Sequence, residues 1–319
     1  MSIFIIMFKI KKLIIIFIFF ICFSKIKSQE LLIQSHYLNN EFLLNPAFTG
    51  IKNFTIAKAS HHKQWSNVKN APSTQIFILE SQFLKKKNKK HGGSFYLFND
   101  KNGSNKQFIT NFSYAIHFTI DKYNYKKTEL SFGFSFSNYI FSLDSRNLKT
   151  TEENDPAIKN AIESSYFNNF SFGVSLYGEN YYTGVSGTHL LKNSINLYDE
   201  NLEPKFARHY FFYFGYKIQE VKNQLIIEPV LVIKLNKNKK LQQDYNVKLA
   251  YKNLFGAISY RVNYDKFNAS NIKTIFLLGM NFQNFTGNYV FEIPLNELYM
   301  HYSISHKITI GYKIFSKKR

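Results

Sequence analysis

From about residue 54 to the C-terminus, apolar residues recur at every second position, and few folds are open to a chain patterned this way. Phe108, Thr110, Phe112, Tyr114, Ile116, Phe118 and Ile120 fall on one side of a period of two, with Asn111, Ser113, Ala115, His117 and Thr119 between them. Leu130, Phe132, Phe134 and Phe136 alternate in the same way with Ser131, Gly133 and Ser135. Near the C-terminus, Tyr302, Ile304, His306, Ile308, Ile310, Tyr312 and Ile314 face away from Ser303, Ser305, Lys307, Thr309, Gly311 and Lys313. Successive side chains of a strand point to opposite faces, so each stretch has one apolar face and one of small or polar residues.

Fourteen such segments are read at 54–64, 74–83, 93–99, 107–120, 128–143, 167–179, 181–191, 208–219, 223–236, 241–253, 254–265, 274–284, 287–296 and 301–315. Most exceed the ~5–6 residues of an ordinary globular strand and match the ~9–11 that a tilted membrane-crossing strand needs. A soluble β-protein alternates too. Segment length, the even count and an aromatic content of 18% favour an all-β fold, an antiparallel transmembrane β-barrel of the outer-membrane type. Closure pairs every backbone group without leaving an edge, which lipid demands. With the N-terminus on the periplasmic side, the long connections 144–166 and 192–207 face outside, and the lysine-rich turn 84–92 and the turn 121–127 face inside.

Lys9, Lys11 and Lys12 stand ahead of an unbroken apolar run from Leu13 to Phe23, with Ser28 available for cleavage. That is the layout of a secretory signal peptide, and the run falls short of the ~20 residues of a spanning helix. The expected division is a signal peptide at 1–28, an N-terminal segment at 29–52 that leads into or caps the barrel, and the barrel at 53–319. Cys22 is the only cysteine, so the mature chain holds together without disulfides. The formal charge is +20, with lysines scattered or grouped around Lys85–Lys90. In an exported chain this reads as a solvated face against anionic envelope material, outer-membrane lipid included, and not as a nucleic-acid surface.

No constellation for catalysis stands out, so no enzymatic activity and no cofactor are expected. His61 and His62 are adjacent and would point to opposite sides of a strand, and neither they nor His91 have further ligands at metal spacing. Ser305 and His306 are opposed for the same reason. Glu152-Glu153 reads as a solvated loop, and Gly92-Gly93 as a turn. Trp65, the only tryptophan, is either an interfacial girdle residue or a ligand-facing anchor.

The octapeptide Leu43-Leu44-Asn45-Pro46-Ala47-Phe48-Thr49-Gly50 precedes all the strands. Pro46 fixes its own φ and disfavours helix at Asn45, while Gly50 permits a turn closed to other residues. This suits an ordinary turn into the first strand or a segment that docks specifically. It is also the first of an ordered series: Lys63-Gln64-Trp65, Ala71-Pro72-Ser73-Thr74-Gln75, Gly92-Gly93, Asn99-Asp100-Lys101-Asn102-Gly103, Leu130-Ser131-Phe132-Gly133, Asp155-Pro156, Tyr182-Thr183-Gly184-Val185-Ser186, Arg208-His209-Tyr210, Glu228-Pro229 and Ser305-His306-Lys307-Ile308.

The series resembles the PorP/SprF family of Bacteroidota outer-membrane proteins, associated with the type IX secretion system and gliding motility, over essentially the whole mature chain. Lys63 stands where the family usually has Arg, Lys307 where it has Glu, and a basic tail Ser316-Lys317-Lys318-Arg319 follows Phe315. The resemblance implies a docking role for the octapeptide and marks Asn45, Pro46, Gly50, Gln64, Trp65, Pro72, Asp100, Gly103 and His306 as motif positions. It implies a barrel in the cell outer membrane that anchors or assists export of a secreted surface protein, such as a gliding adhesin, with other type IX secretion components as partners. The alternative is a channel for small or hydrophobic solutes. Fourteen strands fall short of the 16–18 that leave an open aqueous channel, which weighs against a general porin.

Overall fold

The computed structural model describes residues 36–315 apart from 66–67, 69–70, 87, 121–127, 147–160, 192–206, 221–223, 237–239, 266–267 and 296–303. The signal segment at 1–28, the turn 121–127 and most of the connections 144–166 and 192–207 therefore lie outside the described residues.

The strands are β1 (Phe54–Lys63), β2 (Ser73–Lys86), β3 (Lys89–Asn102), β4 (Asn105–Thr119), β5 (Glu129–Asp144), β6 (Ile162–Tyr177), β7 (Tyr181–Thr188), β8 (His209–Tyr216, resumed as Ile218–Glu220), β9 (Leu225–Asn236), β10 (Leu241–Tyr251), β11 (Leu254–Asp265), β12 (Asn268–Phe282), β13 (Phe285–Pro294) and β14 (Ser305–Phe315). Both halves of β8 pair with β9, so they form one strand interrupted at Lys217. Each strand pairs antiparallel with its sequence neighbours, and β14 returns to pair with β1 from Phe315↔Phe54 to His306↔Lys63. The result is a closed fourteen-stranded antiparallel barrel. Both chain ends of the barrel, Phe54 and Phe315, lie at one rim, called here the terminus end; the opposite rim is the loop end.

The alternation sorts the side chains as the period of two requires. Phe112, Phe134, Leu278, Ile308 and Ile310 stand exposed on the outside, while Asn111, Ser113, Ser135, Ser259 and Thr309 are buried on the inside. An apolar exterior around a polar interior is the inverse of a soluble barrel and matches a lipid environment. At the terminus end Phe83, His91 and Tyr114 form a cluster, with a 2.6 Å hydrogen bond between His91 Nδ1 and the Tyr114 hydroxyl.

Several strands run past their expected limits. β2 and β3 continue through the lysines, pairing Lys85↔Lys90 and Lys86↔Lys89, so most of the expected turn at 84–92 belongs to the two strands. At a rim the strand ladder can continue while long basic side chains reach water, and Lys90 is held there by Glu129. β12 begins at Asn268 instead of 274, because the polar run Asn268–Asn271 keeps its pairing with β11 across an irregularity near Asn263/Tyr264.

Candidate functional site

The lumen is not an empty channel. Residues 36–50 enter it as three short 3-10 turns, His36–Asn39, Glu41–Leu43 and Pro46–Phe48, and almost all of this segment is buried. Pro46 opens the third turn, and Asn45 caps it by accepting a hydrogen bond from the Ala47 N–H at 2.9 Å. The same side chain donates outward, from Nδ2 to the carbonyls of Val174 (3.1 Å) and Val185 (3.2 Å) on β6 and β7. Asn45 thus satisfies the turn and ties it to the wall.

Around that anchor the octapeptide's backbone is taken up residue by residue. Ser186 Oγ donates to the Leu44 carbonyl at 2.5 Å, Ser175 Oγ to the Ala47 carbonyl at 3.3 Å, and the Gly50 N–H donates to Glu80 Oε1 at 3.0 Å. His117 Nε2 lies 2.9 Å from the Thr49 carbonyl. Buried backbone groups outside regular structure need such partners. The wall also yields space: a Cβ at Gly92, Gly133 or Gly173 would overlap Thr49, Pro46 and Asn45 respectively. Gly50 itself has φ +67 and lies directly against Gly92.

Upstream of the octapeptide the segment is tied to the far wall by charge. Lys58 Nζ donates to the Asn39 carbonyl at 2.8 Å and to Asn40 Oδ1 at 2.5 Å. Glu41 pairs with Lys248 at 2.9 Å and with Lys52 at 3.7 Å. Burial alone would raise the Glu41 carboxyl, but the two lysines outweigh it and hold it well below the ordinary carboxylate range. Higher still, the Tyr37 hydroxyl donates to Asp244, which is itself paired with Arg261 at 2.8 Å. Asp244 and Arg261 lie near the loop-end limits of β10 and β11, so the segment climbs from Gly50 near the terminus end to Tyr37 well up the lumen.

The motif positions separate into two groups. Asn45, Pro46 and Gly50 belong to the plug. Gln64, Trp65, Pro72, Asp100 and Gly103 gather at the loop end of β1 to β4. There the Gln64 N–H donates to the Pro72 carbonyl at 2.9 Å, and buried Asp100 accepts the Thr74 hydroxyl at 2.5 Å. Gly103 makes the β3–β4 turn with φ +59. Trp65 is exposed just beyond β1 with φ +48, a left-handed conformation that bulky residues avoid. His306 also lies near the loop end, but on the outer face, bonded to the Tyr289 hydroxyl and close to Phe291. Ser305 faces inward and is buried, so the two do point apart. His62 likewise faces inward, 3.6 Å from Glu292, with His61 outside.

Sequence reading did not assign the wall residues that receive the octapeptide: Gly92, Gly133, Gly173, Ser175, Ser186 and His117. Gly92 is not part of a turn, as expected from the Gly92-Gly93 pair, but an inward position of β3 where the plug touches the wall. The available signal was a glycine on the inward face of a long strand, which marks a close approach of another backbone.

A family model described as type IX secretion system membrane protein PorP/SprF matches residues 26–312. Comparison with curated proteins gives no match. Among solved structures, the CymD monoaromatic hydrocarbon channel is similar at TM-score 0.52 and 9% identity, over 87% of this chain and 92% of that one. CdiB from Acinetobacter baumannii is similar at TM-score 0.46 and 6% identity, over 82% of this chain and 60% of that one. At such identities the likeness to CymD speaks for the barrel fold alone.

Proposed function

The chain belongs to the PorP/SprF family of type IX secretion system membrane proteins, and from that premise we propose that its barrel anchors or assists the export of a secreted surface protein, such as a gliding adhesin, at the outer membrane. The observation that carries this reading beyond the family is the plug. Residues 37–50 occupy the lower lumen with their backbone bonded to the wall, an arrangement suited to a rigid platform and poorly suited to the free passage of solutes. In this reading the terminus end faces the periplasm and other secretion components. The loop end, with the connections 144–166 and 192–207 assigned to it, meets the secreted partner. Loops on a rigid scaffold are the usual carriers of such contacts.

We assign the barrel no catalytic role, since the polar side chains of the lower lumen hold the plug. The test is deletion of the gene, followed by surface proteomics and solute uptake on the same cells. The expected result is loss of one or a few large surface proteins with permeability unchanged. Unchanged surface proteins together with reduced uptake of a small or hydrophobic solute would replace this reading with that of a channel.

A further inference from the structure

The strands β3 to β6 pair without a shift of register, so their inward positions fall into level rows across the wall. One row, Gly92, Ala115, Gly133 and Gly173, contains the glycines against which the octapeptide packs. The next row towards the loop end is Ser94, Ser113, Ser135 and Ser171, and the one beyond it is Tyr96, Asn111, Ser137 and Asn169. Residues opposite one another on paired strands lie ~5 Å apart, so each row repeats a polar side chain at about that interval. Together the two rows make a polar platform just above the plug.

Five of these side chains, Asn111, Ser113, Ser135, Ser137 and Ser171, line a cavity of about 50 Å³, room for several water molecules. Part of the platform is satisfied internally. Asn111 Nδ2 donates to Ser137 Oγ at 2.7 Å, and Ser113 Oγ donates to Asn111 Oδ1 at 2.8 Å. Ser135 is not: it is only 5% exposed, faces the cavity, and its hydroxyl makes no hydrogen bond among the described residues. Its cross-strand neighbour Ser171 also lines the cavity without such a bond. A hydroxyl withdrawn from bulk water without a partner costs free energy, which a ligand that supplies the partner recovers.

The charged groups of the lining are engaged with the protein itself. Asp244 accepts from the Tyr37 hydroxyl and from Arg261 Nε and Nη2 at 2.8 Å each, and Lys234 has an interaction partner of its own. Phe42 and Leu43 of the plug add an apolar surface to the same cavity. We propose that this cavity binds a small uncharged polyol, no larger than one sugar ring, with hydroxyls on Ser135 and Ser171 and its C–H face against Phe42 and Leu43. A serine hydroxyl both donates and accepts, and a polyol does the same, whereas a carboxylate only accepts and an ammonium only donates. Burial of the C–H face adds apolar contact. Analogues lacking hydroxyls are rejected because they leave the serines unpaired. A free polyol and the terminal sugar of a longer chain offer the same chemistry. The site does not depend on the anchoring role.

The experiment is titration calorimetry on the purified full-length barrel in an amine-oxide detergent, which carries no sugar headgroup to compete. The probes are glycerol, glucose, mannose, the methyl glycosides of the two sugars, and cyclohexanol as a ring with a single hydroxyl. At least one polyol is expected to bind, with cyclohexanol at least about tenfold weaker. The double variant Ser135→Ala/Ser171→Ala is expected to weaken that polyol by about tenfold, with heat-modifiable migration confirming that it is folded. Tightest binding by glycerol or a free sugar identifies a free polyol, and tightest binding by a glycoside identifies a chain-terminal sugar; either supports the site. Absence of binding by every polyol, cyclohexanol binding as well as the polyols, or polyol binding unchanged in the double variant would overturn it. If the double variant does not fold, the contrast of polyol with cyclohexanol on the unaltered protein still decides. Gene deletion tests the anchoring role separately, so failure of one is distinguishable from failure of the other.

Discussion

Asn45 concentrates the docking of the plug in one side chain. It accepts from Ala47 and donates to two carbonyls on neighbouring strands, from a side chain that is itself fully buried. Asn45→Ala deletes these bonds at a fully buried position, for a cost of about 1–3 kcal/mol. The expected outcome is a lower urea midpoint for the reconstituted barrel, with Asn45→Asp lowered as well, since a carboxylate cannot donate to the carbonyls of Val174 and Val185. Glu41 gives a second prediction with a defined sign. Its folded pKa lies below its ordinary value of 4.5, so its contribution is complete above that pH and is lost as the pH falls through and below it. Plug retention, followed by ion conductance of the barrel in planar bilayers, is expected to weaken on acidification from pH 5. In Glu41→Gln this dependence is expected to flatten, because the contribution is already absent.

Among the elements, the strands carry their evidence in their faces. Phe134 lies in the middle of β5, outward and exposed, next to Phe170 across the pair at 5.5 Å. Arginine on the lipid face near the bilayer midplane costs about 2–4 kcal/mol. Phe134→Arg is therefore expected to lower barrel stability in lipid vesicles by that order, and Phe134→Leu to leave it close to the parent. An equal effect of the two would mean that β5 does not face lipid. Inward positions are no neutral control in this barrel, because Ser113 and Ser135 line a cavity already bounded by the plug. That most strands, and their faces, could be read from sequence follows from the period of two, which in this barrel holds wherever one side meets lipid and the other a polar interior. The extended ends of β2, β3 and β12 could not be read so, because rim residues meet water on both faces and carry no alternation.

For the whole molecule the central expectation concerns closure. If residues 36–50 are what fills the lower lumen, deleting residues 36–48 from the mature chain leaves the barrel's strand pairing intact while removing its plug. Such a variant is expected to retain heat-modifiable migration and to show a larger single-channel conductance in planar bilayers than the parent. Parent and variant with the same conductance would show that the plug is not the barrier. The sequence by itself determined the architecture, since fourteen long alternating segments in a chain without disulfides admit few structures other than a barrel, and the ordered motifs indicated a family. It also singled out the octapeptide, through proline and glycine chemistry that is local to the chain. Only the tertiary structure decided where that octapeptide goes. Its partners, Gly92, Gly133, Val174, Val185 and Ser186, are distant in sequence and become one surface only after the sheet has closed, and a pocket formed by barrel closure leaves no periodic trace along the chain.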